Sequence, residues 1–183
     1  MTANHTHEGQ VHLESPLEGF SKCHASILSQ LQAFADLPAL VAAADRAQTI
    51  AADTLVLFQD SVYGHHEDEE TDLFPAVLRS AHQGEEFDRA QLMVERLAAE
   101  HRAMETLWKK LQPAVKAAAR GKRCDLDVAA VEELVRAYVA HARFEEQQFL
   151  PLAREILVRN GNHMLALGVA LHLRHAPSIS GYI

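Results

Sequence analysis

Residues 65–75 read HHEDEETDLFP, and residues 141–151 read HARFEEQQFLP. Both segments follow the pattern H-x-x-x-E-E-x-x-x-x-P, in which a glutamate comes four positions and a proline ten positions after a histidine. Positions i and i+4 lie about 40° apart around an α-helix and one turn apart along it. The histidine and the first glutamate of each segment can therefore point at one spot. The two segments predict two helices that face a common site from opposite sides of a core.

Outside these segments the sequence is helical in character. Apolar residues recur at steps of three and four over most of its 183 residues, which contain only eight Gly and six Pro. Long helical stretches joined by short loops predict an all-α fold, an antiparallel up-down four-helix bundle with an extra short C-terminal helix. The predicted helices cover about residues 15–36, 38–80, 85–120, 125–159 and 164–175, with a break at Leu37-Pro38.

These helices suggest a simple domain organisation. We expect a flexible N-terminal tail over residues 1–14, the bundle over residues 15–159, and a short helix with a tail over residues 160–183. Pro75 and Pro151 are expected to kink or end their helices, because proline cannot donate a backbone hydrogen bond.

Composition excludes several classes of partner. With 25 Asp+Glu against 17 Lys+Arg, the net charge is −8, which argues against binding nucleic acid or anionic lipid through a basic surface. No apolar run approaches the roughly 18 residues that span a bilayer, and the N-terminus lacks the features of a secretory signal. Two cysteines, Cys23 and Cys124, cannot form a disulfide framework. We therefore expect a cytoplasmic protein that binds neither nucleic acid nor membrane.

Each of the four predicted core stripes is interrupted by one histidine. These histidines are His24, His65, His101 and His141. Glu69 and Glu145 lie on the same stripes, four positions after the second and fourth histidine. Burying such groups without partners would cost several kcal/mol per charge, and nothing in the stripes is positive. The simplest source of positive charge is metal, and six ligands suit a pair of iron, manganese or zinc ions better than one tetrahedral ion.

Other polar residues near the stripes receive different interpretations. Glu105 follows His101 by four positions and borders the stripe, so it is a further candidate ligand. His66 and Glu70 lie about 100° from the stripe, and we expect them to be solvated or to support the ligands. His82 falls in a predicted turn and is expected at the surface.

With these residues the sequence resembles the hemerythrin-like family, also called the HHE cation-binding domain, over about residues 17–157. The resemblance implies a four-helix bundle that holds two iron ions as a non-haem di-iron centre with an oxo or hydroxo bridge. It implies terminal ligands at His24, His65, His101 and His141, and bridging carboxylates at Glu69 and Glu145. Members of the family are known as oxygen carriers, as sensors of oxygen, redox state or iron, and as proteins linked to nitrosative stress or iron–sulfur repair.

The sequence departs from the oxygen-carrying members at one position. Those proteins have a fifth histidine four residues before the third-helix ligand, where this chain has Leu97. Either another residue, such as Glu105 or a different carboxylate, supplies the fifth ligand, or the site is more open. An open site favours exogenous ligands such as O2, peroxide or NO.

The sequence leaves three functions open. The first is a protein that binds or senses O2 or a related small oxidant through a protein partner not yet known, which we favour over an enzyme. The second is a di-iron oxidase or peroxidase, although ferritin-like enzymes use Glu-x-x-His pairs with a spacing of three. The third is a structural metal site in an interaction module, which predicts zinc or no metal and no reaction with O2.

Overall fold

The computed structural model describes residues 16–159, together with Gly161 and Gly168. Those residues form no strand, which confirms the predicted all-α class. The first long helix comprises α1 (Pro16–Val56), a π-helical segment (Leu57–Val62), α2 (Tyr63–Asp68), a second π-helical segment (Glu69–Leu73) and α3 (Phe74–Ser80). The second long helix is α4 (Glu85–Ala119). The third comprises α5 (Val128–Phe144), a third π-helical segment (Glu145–Phe149) and α6 (Leu150–Val158). The described residues thus form three long helices where four were predicted. Apart from Gly161 and Gly168, the predicted helix at 164–175 and both predicted tails lie outside the described residues.

The predicted break at Leu37-Pro38 is wrong, because α1 continues through Pro38. A proline inside a helix removes one backbone hydrogen bond and costs about 3 kcal/mol. The residues after it are rich in alanine and leucine, which have the highest helix propensities and offset that cost. The sequence prediction did not take into account the high helix propensity of the residues that follow Pro38.

The ends of α4 and α5 agree with the predicted turns. Gly84 precedes α4 with φ 102° and Gly121 follows it with φ 64°, a backbone region that favours glycine. Asp127 caps α5, since its carboxylate accepts a hydrogen bond of 3.0 Å from the backbone N–H of Ala130. These caps fix where the helices begin and hence which residues face the core.

Neither Pro75 nor Pro151 ends its helix. A π-helical segment precedes each proline, and its wider turn lets the helix continue. The backbone N–H of Phe74 donates to the carbonyl of Glu69, and that of Leu150 donates to the carbonyl of Glu145, five residues back in each case. Because a proline ring clashes with the carbonyl four residues earlier, a widened turn at this point accommodates it.

The chain divides into two compact units, Met1–Arg46 and Ala47–Ile183. In the first unit, the described residues belong to α1 and expose apolar side chains that include Phe20, Ile27 and Phe34. The second unit contains a buried core.

Two apolar clusters form the core of the second unit. One cluster surrounds Phe58 and Trp108, whose rings stack with centroids 3.9 Å apart. The other surrounds Phe74 and Phe149, whose rings meet edge to face at 5.2 Å. On each of the three long helices, one to three buried polar residues lie between the residues of the two clusters. The members of this polar layer are His66, Asp68, Glu69, His101, His141 and Glu145.

One stretch of helix passes a test of length and hydropathy for a membrane span. Within Phe20–Ser80, an 18-residue window has a mean hydropathy of 1.4, and none of that window is buried. Polar residues interrupt this window, so it is not an uninterrupted apolar run. A single helix of this kind is weak evidence for a span, because mostly buried core helices and signal sequences near an N-terminus have the same length and hydropathy.

Candidate metal centre

The polar layer of the second unit contains two groups of metal-ligating side chains. In the first group, one ring nitrogen from each of His66, His101 and His141 lies within 4.8 Å of the others. In the second, one ligand atom from each of His65, Glu69 and Glu145 meets the same limit. Donors on one ion with bonds of about 2.1 Å lie at most about 4.2 Å apart. Each group is therefore within a small contraction of the spacing that one ion requires.

The three imidazoles of the first group come from three different helical segments. His66 lies on α2, His101 on α4 and His141 on α5, and each is at most 3% exposed. The rings of His66 and His101 stack with centroids 3.8 Å apart and planes 5° apart. The ring of His141 meets that of His101 edge-on at 4.8 Å.

Carboxylates orient two of these imidazoles through hydrogen bonds to the Nδ1 atoms. The Nδ1–H of His101 donates to Glu70 Oε1 at 2.9 Å, and the Nδ1–H of His141 donates to Glu100 Oε2 at 3.0 Å. Because an ionised carboxylate can only accept, these contacts place the proton on Nδ1 and leave the lone pair on Nε2. Both Nε2 atoms are buried and have no hydrogen-bond partner among the described residues.

Arginines on α4 hold the supporting carboxylates in place. Arg96 donates to Glu100 at 2.7 Å, and Arg102 donates to Glu70 at 3.3 Å. Partial burial opposes the ionisation of Glu100, but the hydrogen bonds from Arg96 and His141 outweigh it and lower the pKa of that carboxyl group. Glu100 is therefore an acceptor for His141 at neutral pH.

Glu69 connects the two groups. Its Oε1 lies 3.5 Å from His65 Nε2, and its Oε2 lies 3.3 Å from His101 Nε2. Glu145 also lies between the groups, since its Oε2 is 4.0 Å from both His65 Nε2 and His141 Nε2. A carboxylate with one oxygen directed at each of two imidazole sets has the arrangement of a bridging ligand between two ions.

The two carboxyl groups titrate as a pair. Burial, together with the neighbouring Glu69, raises the pKa of Glu145 to about 8. Burial also opposes the ionisation of Glu69, but contacts with His101, Glu145 and His65 outweigh it and lower its pKa to about 2. Without a cation the pair thus shares one proton at neutral pH, as two carboxylates in one buried site must.

The donor atoms fit a metal ion. Both oxygens of Glu69 and both ring nitrogens of His66 are buried without a hydrogen-bond partner in the described part of the chain. Burial, reinforced by His101, lowers the pKa of His66 to about 4, so its imidazole is neutral at physiological pH and its ring can bind a metal. Leaving such atoms unpaired costs about 1–3 kcal/mol each, a cost that a bound cation removes. Imidazole and carboxylate together suit iron, manganese or zinc.

Comparison with known proteins identifies the same domain. The hemerythrin HHE cation-binding domain matches residues 15–153, which is most of the chain. The chain belongs to this family. A protein of Haemophilus influenzae, described only as uncharacterised, is 26% identical over 158 residues, which cover 82% of this chain and 88% of that protein. No solved structure matches.

The structure brings together five of the six ligands that the sequence predicts for this HHE domain. These residues are His65, Glu69, His101, His141 and Glu145. The sixth, His24, is exposed on the part of α1 that belongs to the first unit, and its role as a ligand stays a prediction.

The structure differs from the sequence prediction at His66 and His65. His66 was expected to be solvated or to support the ligands, yet it is buried within the three-imidazole group, whereas the side chain of His65 is 51% exposed. The π-helical segment at Leu57–Val62 explains the difference, because a π-helical turn takes up an extra residue and shifts the register of the helix after it. His66 follows the buried Val62 by four residues, a spacing at which two side chains share one face of a helix. This spacing is the sequence signal that could have predicted the burial of His66.

Glu105 lies behind His66 and does not join either group. Its Oε1 is 3.7 Å from His66 Nδ1, and its Oε2 is 3.7 Å from Lys109 Nζ. The alternative that Glu105 supplies a further metal ligand is therefore not favoured by its position. Like Glu70 at His101 and Glu100 at His141, Glu105 lies on the Nδ1 side of His66.

Proposed function

We propose that this HHE domain is a non-haem di-iron protein that binds or senses O2 or a related small oxidant, such as NO or peroxide. The position of Glu69 supports the proposal most directly, because its two oxygens face imidazoles of two different ligand groups. A single ion would leave one of these groups without a cation. Two ions bridged by Glu69 and Glu145 use both groups.

The chain's own residues divide the work of holding the ions. His101 and His141 bind on one side of the two carboxylates, with their Nε2 atoms aimed inward by Glu70 and Glu100. His65 binds on the other side, at the second group. His24 stays a predicted terminal ligand, on the helix that the sequence assigns as the first of a four-helix bundle.

Iron in such a pair supplies reversible one-electron redox chemistry toward O2 or NO. The residues around it control proton content and shape. The Glu69–Glu145 pair gives up its shared proton when cations bind, so the two carboxylates together offset two of the four positive charges of a divalent pair. The apolar clusters on both sides of the polar layer bury His101, His141 and the two carboxylates, whereas the His65 side chain of the second group is half exposed.

A cytoplasmic location forms part of the proposal. Cys23 and Cys124 are both free and exposed, which fits a compartment in which thiols stay reduced. The acidic net charge of −8 supports the absence of nucleic acid and anionic membrane among its partners.

Anaerobic loading with iron(II) tests the proposed function. We expect about two iron ions per chain, and exposure to air should then produce the near-ultraviolet charge-transfer absorption of a ferric pair. Glu69→Gln should reduce the iron content, whereas Glu146→Gln should not, since Glu146 is an exposed neighbour of Glu145. One zinc ion per chain, or a spectrum that ignores oxygen, would contradict the proposal. Continuous iron-dependent consumption of O2 or peroxide would instead favour the oxidase or peroxidase alternative.

A further inference from the structure

His66 is a buried imidazole to which the predicted ligand set gives no role. It is 3% exposed, and its ring lies flat against that of His101. The rings of His66 and His141 are also close, with centroids 6.1 Å apart. These contacts place its ring nitrogens within the same group as those of the two predicted ligands.

The surroundings of His66 do not satisfy it as an ordinary core residue. Neither ring nitrogen has a hydrogen-bond partner among the residues that the structure describes. The nearest carboxylate oxygen, from Glu105, is 3.7 Å from Nδ1, which is beyond hydrogen-bond distance. A leucine or methionine would fill the same volume without two unpaired polar atoms, so packing alone gives no reason for a histidine here.

The helix α4 supplies one imidazole fewer than in oxygen-carrying relatives. Leu97, which stands where those relatives have a fifth histidine, is fully buried and packs within the cluster around Phe74. Among the described residues, α4 therefore contributes one imidazole, that of His101, to the ligand groups. The stacked ring of His66 reaches the same place from α2.

We propose that His66 is a metal ligand of this chain, binding through Nε2 to the ion that His101 and His141 also bind, and so replacing the imidazole that Leu97 does not provide. This inference rests on the proposed di-iron function. Glu105 then stands behind Nδ1 as Glu70 and Glu100 stand behind the other two imidazoles, and a shift of less than 1 Å would bring it to hydrogen-bond distance. The ion in the first group is thus held by three imidazoles together with the bridging carboxylates.

If His66 is a ligand, its loss should weaken iron binding by the loaded protein without lowering the stability of the metal-free protein. Both properties are measured. His66→Leu and His66→Gln are compared with wild type and with His82→Leu, which removes an exposed histidine in the turn before α4. Each protein is loaded with iron(II), its iron content is measured, and the release of iron to a chelator is timed. For both His66 variants we expect release at least about tenfold faster and an altered charge-transfer spectrum, with no change in His82→Leu.

Thermal unfolding of the metal-free proteins separates a ligand from a packing residue. His66→Leu should unfold at the same or a higher temperature than wild type without metal, because it removes two unpaired buried nitrogens. Unchanged iron release and spectrum in both His66 variants, with two irons in wild type, would overturn the assignment of His66 alone. Failure of wild type to hold two irons would overturn the proposed function instead.

Discussion

Glu69 and Glu145 begin equivalent π-helical turns on two different long helices. The backbone carbonyl of each accepts a hydrogen bond from the residue five positions later, and a proline follows directly. π-Helical turns are rare and concentrate at functional sites, because they place one side chain where regular helical geometry would not. Here they set the direction of the two carboxylates between the imidazole groups.

Replacement of the second proline tests whether the π-helical turn serves the site. In Pro151→Ala, residue 151 regains a backbone N–H and loses the ring that clashes with the preceding turn, so the helix can relax toward regular α-helical bonding. We expect the metal-free protein to unfold at a temperature a few degrees higher, because alanine has the higher helix propensity. Iron should dissociate several-fold faster, since relaxation rotates Glu145 away from its bridging position.

The matched control is Pro113→Ala, because Pro113 lies within the regular helix α4, away from any π-helical segment. This variant should gain stability in the same way and keep its iron. Equal iron release from both proline variants would show that the turn before Pro151 has no part in positioning Glu145.

Much of the second unit could be predicted from helical periodicity. Phe58, Trp108 and Leu134, on three different helices, each belong to a series of apolar residues at steps of three and four, and all three are buried. The same counting led to His101 and His141, which are buried within the first ligand group.

Two predictions from the sequence were wrong: the exposure of His66 and the helix break at Pro38. The prediction placed His65 on the stripe, although a step of four residues from Val62, at the end of the π-helical segment Leu57–Val62, reaches the buried His66. At Pro38, the proline rule predicted a break, but the helix propensity of the flanking residues prevailed. The first error arose because periodicity assumes a regular helix, and the second because a single-residue rule ignores the residues on either side.

The carboxylates behind the imidazoles provide a second prediction. Glu100→Gln keeps the size of the side chain but removes the charge that holds His141 with its proton on Nδ1. We expect the affinity for iron to fall by about 10- to 100-fold, the usual effect of losing such a supporting group. Competition with a chelator of known affinity would measure the change.

Glu95→Gln is the control for that experiment. Glu95 lies on the same helix and accepts a hydrogen bond from Gln91, but it is exposed and contacts no histidine of the site. A similar loss of affinity in both variants would show that general charge, and not the contact with His141, controls iron binding.

Proton binding within the site predicts how the stability of the metal-free protein depends on pH. Between pH 6.5 and 8, the raised pKa values of Glu145 and His101 mean that the folded state binds more protons than the unfolded state. The lowered pKa values of His66 and His141 act mainly below pH 6.5, and that of Glu69 acts below about pH 4.5. Stability must therefore fall as pH rises through this interval.

The melting temperature of metal-free protein should fall by roughly 3 °C between pH 6.5 and 8, because the proton that Glu145 retains is worth about 1.5 kcal/mol over that range and the lowered pKa of His66 offsets part of it. Glu145→Gln should lose much of this dependence, since the substituted side chain cannot titrate. Zinc-loaded wild type should show the reverse trend, because the cation displaces the shared proton and binds more tightly as pH rises. Calorimetry at matched ionic strength checks all three proteins. A melting temperature that rises with pH in the metal-free wild type would mean that Glu145 does not keep its proton in the folded state.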